Sequence, residues 1–189
     1  RGRNIQMTLD LDLKDAVFGK SIEITLPNNS KKVSVDIPPG VDTGNKIRLS
    51  GEGEVSQYGG ENGDLYIVIN VKNHVFLERE GNHLYCEVPI RIDQAIFGDE
   101  IEIPTLTKRV LLKIPPETQT GKVFKLKDLG AGSLHGRSTG DLFVRVVVET
   151  PTKITGSQKK ELKEAFKSLE GQFKEYSRFN EKLQSKIDE

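Results

Sequence analysis

Apolar side chains recur at every second position over most of this chain. Ile5, Met7, Leu9, Leu11 and Leu13 alternate with polar residues, then Ile22, Ile24 and Leu26, then Val33, Val35 and Ile37, and later Leu65, Ile67, Ile69 and Val71. A period of two puts all the apolar side chains of a strand on one face, so each run predicts a strand with one buried side. The second half follows suit with Leu84, Cys86, Val88 and Ile90, then Ile101 and Ile103, then Val110, Leu112 and Ile114, then Leu142, Val144 and Val146. Two segments break the alternation: Leu13 to Phe18 and Ile92 to Phe97 each predict one or two helical turns, closed by Gly19 and Gly98, where positive φ is cheap. Pro38-Pro39 ends a strand because proline cannot donate to the ladder, and Thr43-Gly44 turns the chain into the next strand.

The two halves are copies. Ala16-Val17-Phe18-Gly19 matches Ala95-Ile96-Phe97-Gly98 at a spacing of 79 residues. Ile37-Pro38-Pro39, Thr43-Gly44, Gly53 and Gly63-Asp64-Leu65 find Ile114-Pro115-Pro116, Thr120-Gly121, Gly130 and Gly140-Asp141-Leu142 at a spacing of 77. One two-residue gap between Gly19 and Ile37 accounts for the difference. Units this long and this few are neither solenoid nor propeller repeats. The expected fold is mainly β: two tandem homologous β-sandwich domains, residues 1–74 and 75–151, followed by a C-terminal α-helical dimerisation segment, 152–189.

In that last segment the period changes. Leu162, Phe166, Leu169, Phe173, Tyr176, Leu183 and Ile187 recur mostly at three- and four-residue steps among Lys and Glu, the pattern of an amphipathic helix. Ser157 is a candidate N-cap. Gly171 lies inside the run at a cost of about 1 kcal/mol relative to alanine, which leaves open one long helix or two broken near Glu170. The stripe either folds back on the second sandwich or is buried against a second copy; its large aromatics, with no further chain to cover them, favour a homodimer.

Composition narrows the classes of function. The 189 residues carry 28 Lys+Arg and 28 Asp+Glu, so there is no basic footprint for nucleic acid, and no apolar run approaches the roughly 20 residues of a membrane span. No secretory signal opens the chain, and Arg1-Gly2-Arg3 reads as a cut from something longer. The single cysteine, Cys86, excludes an internal disulfide and fits a reducing compartment; on the apolar face of a strand it reads as a core thiol. His74, His83 and His135 sit in turn-like surroundings without metal-ligand spacing, so no metal site is expected. Gly19-Lys20-Ser21 resembles the end of a phosphate-binding loop, but the required earlier glycine is Lys14. The glycines of the stretch Gly130 to Gly136 join two strands, not a strand to a helix, and no nucleophile elbow or catalytic carboxylate pair stands out. The chain is therefore not expected to be an enzyme.

Three stretches carry a resemblance: Gly40 to Glu54, Glu78 to Ile90 and Glu117 to Lys122. They closely resemble the C-terminal half of bacterial DnaJ, the J-domain co-chaperone, and the likeness extends to about Pro151. The resemblance implies a cytoplasmic chaperone fragment, or one of the mitochondrial matrix or plastid if the source is eukaryotic. It would bind unfolded client polypeptides and, as a homodimer, pass them to a DnaK-type chaperone. The J domain that engages that partner, with its His-Pro-Asp motif, is missing from this sequence. In the zinc-bearing branch, four Cys-x-x-Cys-x-Gly-x-Gly repeats interrupt the first sandwich where only Asn28-Asn29-Ser30 stands here, so zinc would enter only through an insertion at Asn28–Ser30. That module is either naturally absent or excised, and similarity to the zinc-bearing type favours excision.

The resemblance also implies a client groove on the first sandwich, between its first strand and the strand after the Phe-Gly turn, with Met7, Leu9, Ile22, Ile24 and Ile67 as its residues. All five fit equally well as inward-facing core. The matching positions of the second copy, Cys86, Val88, Ile101, Ile103 and Val144, define a possible secondary groove. An extended peptide adding to a free sheet edge through main-chain hydrogen bonds tolerates many sequences, and Met7 would adapt to varied side chains. The competing reading is a structural dimerisation scaffold that positions a J domain while clients bind elsewhere.

Overall fold

The computed structural model describes residues 1–132 and 138–187. By contact density the chain divides into two compact units, Arg1–Glu149 and Thr150–Glu189. In the first unit, β1 (Ile5–Leu11), α1 (Leu13–Phe18), β2 (Lys20–Thr25), β3 (Lys32–Ile37), β4 (Lys46–Leu49) and β5 (Leu65–Val71) come from the first sequence repeat. From the second repeat come β6 (Glu78–Glu80), β7 (His83–Arg91), α2 (Ile92–Phe97), β8 (Asp99–Pro104), β9 (Arg109–Ile114), β10 (Val123–Leu126) and β11 (Leu142–Glu149).

The predicted strands and both short helices are present, and the sheets follow the repeat. In the first copy a sheet of order β1-β5-β4 faces the hairpin β2-β3; in the second, β10-β11-β7-β6 faces the hairpin β8-β9. The first and last strands of each copy run parallel, β1 with β5 from Ile5↔Leu65 to Leu11↔Val71 and β7 with β11 from Leu84↔Leu142 to Arg91↔Glu149. Parallel neighbours need a crossover, and here α1, the hairpin and β4 supply it. Alternation then sends Ile24, Val35 and Ile37 from the hairpin and Leu65, Ile67 and Ile69 from the sheet into one buried cluster, which makes the two layers a sandwich. The second copy builds its own cluster around Leu84, Ile103, Ile114, Leu142, Val144 and Val146. Leu13 and Val17 of α1 join this second cluster, and Arg79 donates to the carbonyls of Val41 and Gly40 at 2.6 and 3.0 Å. The two copies thus share packing within one compact unit.

The repeated words of the sequence are the repeated joints of the sandwich. Gly19 and Gly98 end their helices at φ 77° with ψ near 160°, a region open essentially only to glycine. A Cβ on Gly19 would meet the Ile37 carbonyl oxygen at 2.7 Å and the Pro39 nitrogen at 2.9 Å; on Gly98 it would meet the corresponding Ile114 and Pro116 atoms at 2.8 and 2.9 Å. The Phe-Gly pair and the Ile-Pro-Pro run are therefore two halves of one contact.

A second joint is built on Gly-Asp-Leu. Gly53 and Gly63 lie backbone to backbone, with the Gly53 N–H donating to Gly63 at 2.8 Å, and Gly130 repeats this with Gly140 at 2.9 Å. Beside them Asp64, 2% exposed, accepts from the Gly51 N–H at 3.0 Å and from Arg48 and Arg1. Its counterpart Asp141 accepts from the Asp128 N–H at 3.0 Å and pairs with Lys125. The turn N–H in each case holds the carboxyl below its ordinary range, helped by Arg48 at Asp64 and by Lys125 at Asp141.

In the second unit the tail is two helices. α3 (Gly156–Lys167) and α4 (Lys174–Ile187) flank a short 3-10 turn, Glu170–Gln172, at Gly171. The N-cap is Thr155, not Ser157: its hydroxyl accepts from the Gln158 N–H at 3.2 Å while Gln158 accepts from the Thr155 N–H at 2.8 Å, a reciprocal box that Ser157 cannot form from within the helix.

Gly19→Ala or Gly98→Ala, forced into a glycine-only conformation against backbone, lowers stability in urea unfolding by about 2 kcal/mol or more. The acid limb of thermal unfolding reports the two carboxylates. A depressed folded pKa means their contribution is complete above the unfolded value, about pH 4, and drains away as pH falls through the folded value. The Asp64→Asn, Asp141→Asn double variant is therefore less stable than wild type at pH 7 and shows a shallower loss of melting temperature below about pH 4.

Candidate peptide-binding groove

The free sheet edges define where a chain could add. Among the described residues β1 pairs only with β5 and β2 only with β3, so each keeps one unpaired edge. Both strands follow from the sequence: β2 begins where Gly19 releases the chain from α1, and β1 is the alternating run that opens the chain. Met7, Leu9 and Ile22 are half-buried and pack on the first core cluster, keeping part of each side chain in reach of a ligand. Ile24 and Ile67 lie deeper, at 7% and 0% exposure. Met7 and Ile67 are directly opposite in the β1–β5 ladder, so the two side chains lie side by side on one face of the sheet. The geometry thus separates the five positions into three half-buried and two in the core.

The second copy repeats the layering with a difference. Val88 and Ile101 are half-buried, whereas Cys86, Ile103 and Val144 are core at 7%, 1% and 0%. Burial raises the Cys86 thiol pKa, as expected for an inert core residue. Here β6 pairs with the start of β7, Glu78↔Tyr85 to Glu80↔His83, and covers an edge that the first copy leaves open. β8, like β2, pairs only with its hairpin partner.

Alternation did not bring out the exposed Val75-Phe76 pair that leads into β6, at 82% and 59%. These two precede a strand of only three residues, too short to register as a period. Two histidines are backbone acceptors: His74 Nδ1 takes the N–H groups of Phe76 and Leu77, both at 3.0 Å, and His83 Nδ1 takes that of Asp141 at 3.0 Å. His83 does for Asp141 what the Asn4 side chain does for Asp64 at 2.8 Å. His135 and most of the glycine-spaced stretch after Gly130 lie outside the described residues.

Where the resemblance would put a zinc-bearing insertion, the chain makes a tight turn at residues 27–29. The Leu26 N–H donates to Lys31 at 2.8 Å, and Asn28 Nδ2 donates to the Gly53 carbonyl at 2.8 Å. Among the described residues no group of three or more His, Cys, Asp or Glu side chains is placed to hold a metal ion. Likewise, no described helix is long and apolar enough to cross a membrane.

In the tail, Leu162, Phe166, Leu169, Phe173, Tyr176, Leu183 and Ile187 all remain exposed, from 38% at Leu162 to 72% at Ile187. Phe179, at 63%, belongs to the same set although the sequence stripe passed over it.

The class is that of a mainly β module with two repeated sandwiches, open hairpin edges and a helical tail. The family model for the DnaJ C terminal domain matches residues 5–151. The chain is a member of that family, and it represents the C-terminal region of a DnaJ-type co-chaperone.

Proposed function

We propose that this chain binds unfolded or aggregation-prone polypeptides in the groove between the open edges of β1 and β2. In a complete co-chaperone it would deliver them to a DnaK-type chaperone through a J domain. The observation that carries the reading is the combination of two unpaired edges, on β1 and on β2, with half-buried Met7 and Leu9 on the one strand and half-buried Ile22 on the other. A client strand gains main-chain hydrogen bonds from the edge and places alternate side chains on the apolar floor over Ile24 and Ile67. Val88 and Ile101 beside the β8 edge serve as a weaker second groove over Cys86, Ile103 and Val144.

Affinity at one groove is modest. Burying two leucine-sized side chains contributes roughly 3 to 6 kcal/mol before ordering costs. Two linked grooves raise the apparent affinity by about 10² to 10⁴ without any new contact, provided the client spans both. Dimerisation through the apolar tail supplies that linkage, with residues 1–74 and 75–151 acting as the two sandwich domains of each arm and 152–189 as the joint.

Two measurements test this reading. Ile22→Asp places a charge on the floor at a half-buried position; it weakens binding of a fluorescein-labelled leucine-rich peptide by about 10- to 100-fold, measured by anisotropy on a variant with wild-type circular dichroism. Unchanged affinity contradicts the groove. In sedimentation equilibrium the full chain is a dimer and a chain ending at Thr155 is a monomer; a dimeric truncation places the interface elsewhere.

A further inference from the structure

Asn62-Gly63 is the one Asn-Gly pair in the chain, and it lies in the joint that closes the first sandwich. Such a pair is chemically labile, because glycine has no side chain to shield its nitrogen and lets the backbone bend toward the asparagine carboxamide. Here both reacting groups are engaged. The Gly63 N–H donates to the Glu54 carbonyl at 3.0 Å, and Asn62 Nδ2 donates to the Gly51 carbonyl at 3.3 Å. Asn62 is exposed, whereas Gly63 is buried so tightly that a Cβ on it would overlap the Arg3 carbonyl.

The second copy builds the same joint without this chemistry. Thr139 stands where the first copy has Asn62, and the Gly140 N–H donates to the Ala131 carbonyl at 2.9 Å. The joint therefore does not require a carboxamide. What holds the first one shut is Asp64. Its N–H donates to Asn4 Oδ1 at 2.8 Å, and its carboxylate accepts from the Gly51 N–H at 3.0 Å and from Arg48 at 2.9 Å. Gly51 is thus tied both to Asp64 and to Asn62, and freeing the loop between Gly51 and Gly63 breaks these bonds together.

We propose that Asn62-Gly63 is a latent deamidation site, gated by the Asp64 joint, which turns a transient opening of the first sandwich into a permanent change. In the open loop the Gly63 nitrogen gives up its proton and attacks Asn62 Cγ. The new N–Cγ bond closes a succinimide, the Cγ–Nδ2 bond breaks, and the amide leaves as ammonia. One water then opens the ring: at Cγ it leaves an aspartate at position 62, and at the main-chain carbonyl it leaves an isoaspartate whose backbone is one carbon longer. Neither product suits the joint. The first adds a carboxylate between Glu61 and Asp64, and the second lengthens the chain where Gly63 has no room. β5, the middle strand of its sheet, starts two residues later at Leu65, so the damage falls on the first sandwich and spares the second. Nothing in this chemistry depends on client binding.

The test holds the full chain and a synthetic peptide of residues 49–72 at mildly alkaline pH and follows the gain of one mass unit at position 62 in the tryptic fragment. Fragment ions separate this position from Asn70. When reaction runs through the open form, the rate is the peptide rate multiplied by the open fraction. The folded chain reacts at least about tenfold more slowly than the peptide, and urea below the unfolding transition raises its rate progressively. Asn4→Ala, which removes the acceptor of the Asp64 N–H, raises it by about 3- to 10-fold. In hydrogen exchange the deamidated chain, separated by its added charge, loses protection at Gly53 and Gly63 while Gly130 and Gly140 keep theirs. A folded chain that reacts as fast as the peptide, a rate unmoved by urea or by Asn4→Ala, or unchanged protection in the deamidated chain overturns the proposal.

Discussion

Each sandwich hangs on a place where two backbones touch with no room for a side chain. Gly19 lies against the Ile37 carbonyl and the Pro39 nitrogen, and Gly98 repeats the contact at Ile114 and Pro116. The contact ties the end of a helix to the end of a hairpin, so it fixes where β2 and β8 begin and which layer they join. It also explains the prolines, which stop the hairpin strand at the residue where the glycine arrives. At the opposite end, Asp64 and Asp141 hold the turn after β4 and β10 against the start of β5 and β11. Between these two joints the alternating side chains have only one way to face.

That arrangement leaves edges unpaired. Natural sheets usually blunt such edges, because an open ladder recruits other chains. Here β2 and β8 carry charge at Glu23, Lys20, Asp99 and Glu102 on their exposed positions while keeping Ile22 and Ile101 half-buried beside the open edge. An edge of this kind leaves main-chain donors and acceptors open beside a half-buried apolar side chain, which is what the proposed client strand would use. The tail helices expose eight large apolar residues, and in the proposed function these are what would hold a second copy and with it a second pair of grooves.

The sequence announced the strands, both short helices and the repeat, because period-two alternation and the glycine and proline breaks are local signals. Pairing was not local: nothing in Ile5 to Leu11 says that its parallel partner lies at Leu65 to Val71. The short strands β4, β6 and β10 hold too few residues to show a period. Alternation also could not grade depth, so Met7 and Ile67 read alike although one is half-buried and the other closed off. The tail's break at Gly171 was open in the sequence because a glycine weakens a helix without forbidding it, whereas its N-cap turned on which hydroxyl lay outside the first turn. Asn4 and His83 are chemically unlike in the sequence and equivalent in the fold, since each offers one acceptor to an aspartate N–H.

The central claim is that the open β2 edge receives the client strand. Hydrogen–deuterium exchange of the full chain, with and without a saturating leucine-rich peptide, tests it most directly. The account predicts new amide protection along Lys20–Thr25, with little change in the already paired β5. Protection that appears elsewhere while the β2 amides exchange as before would contradict it.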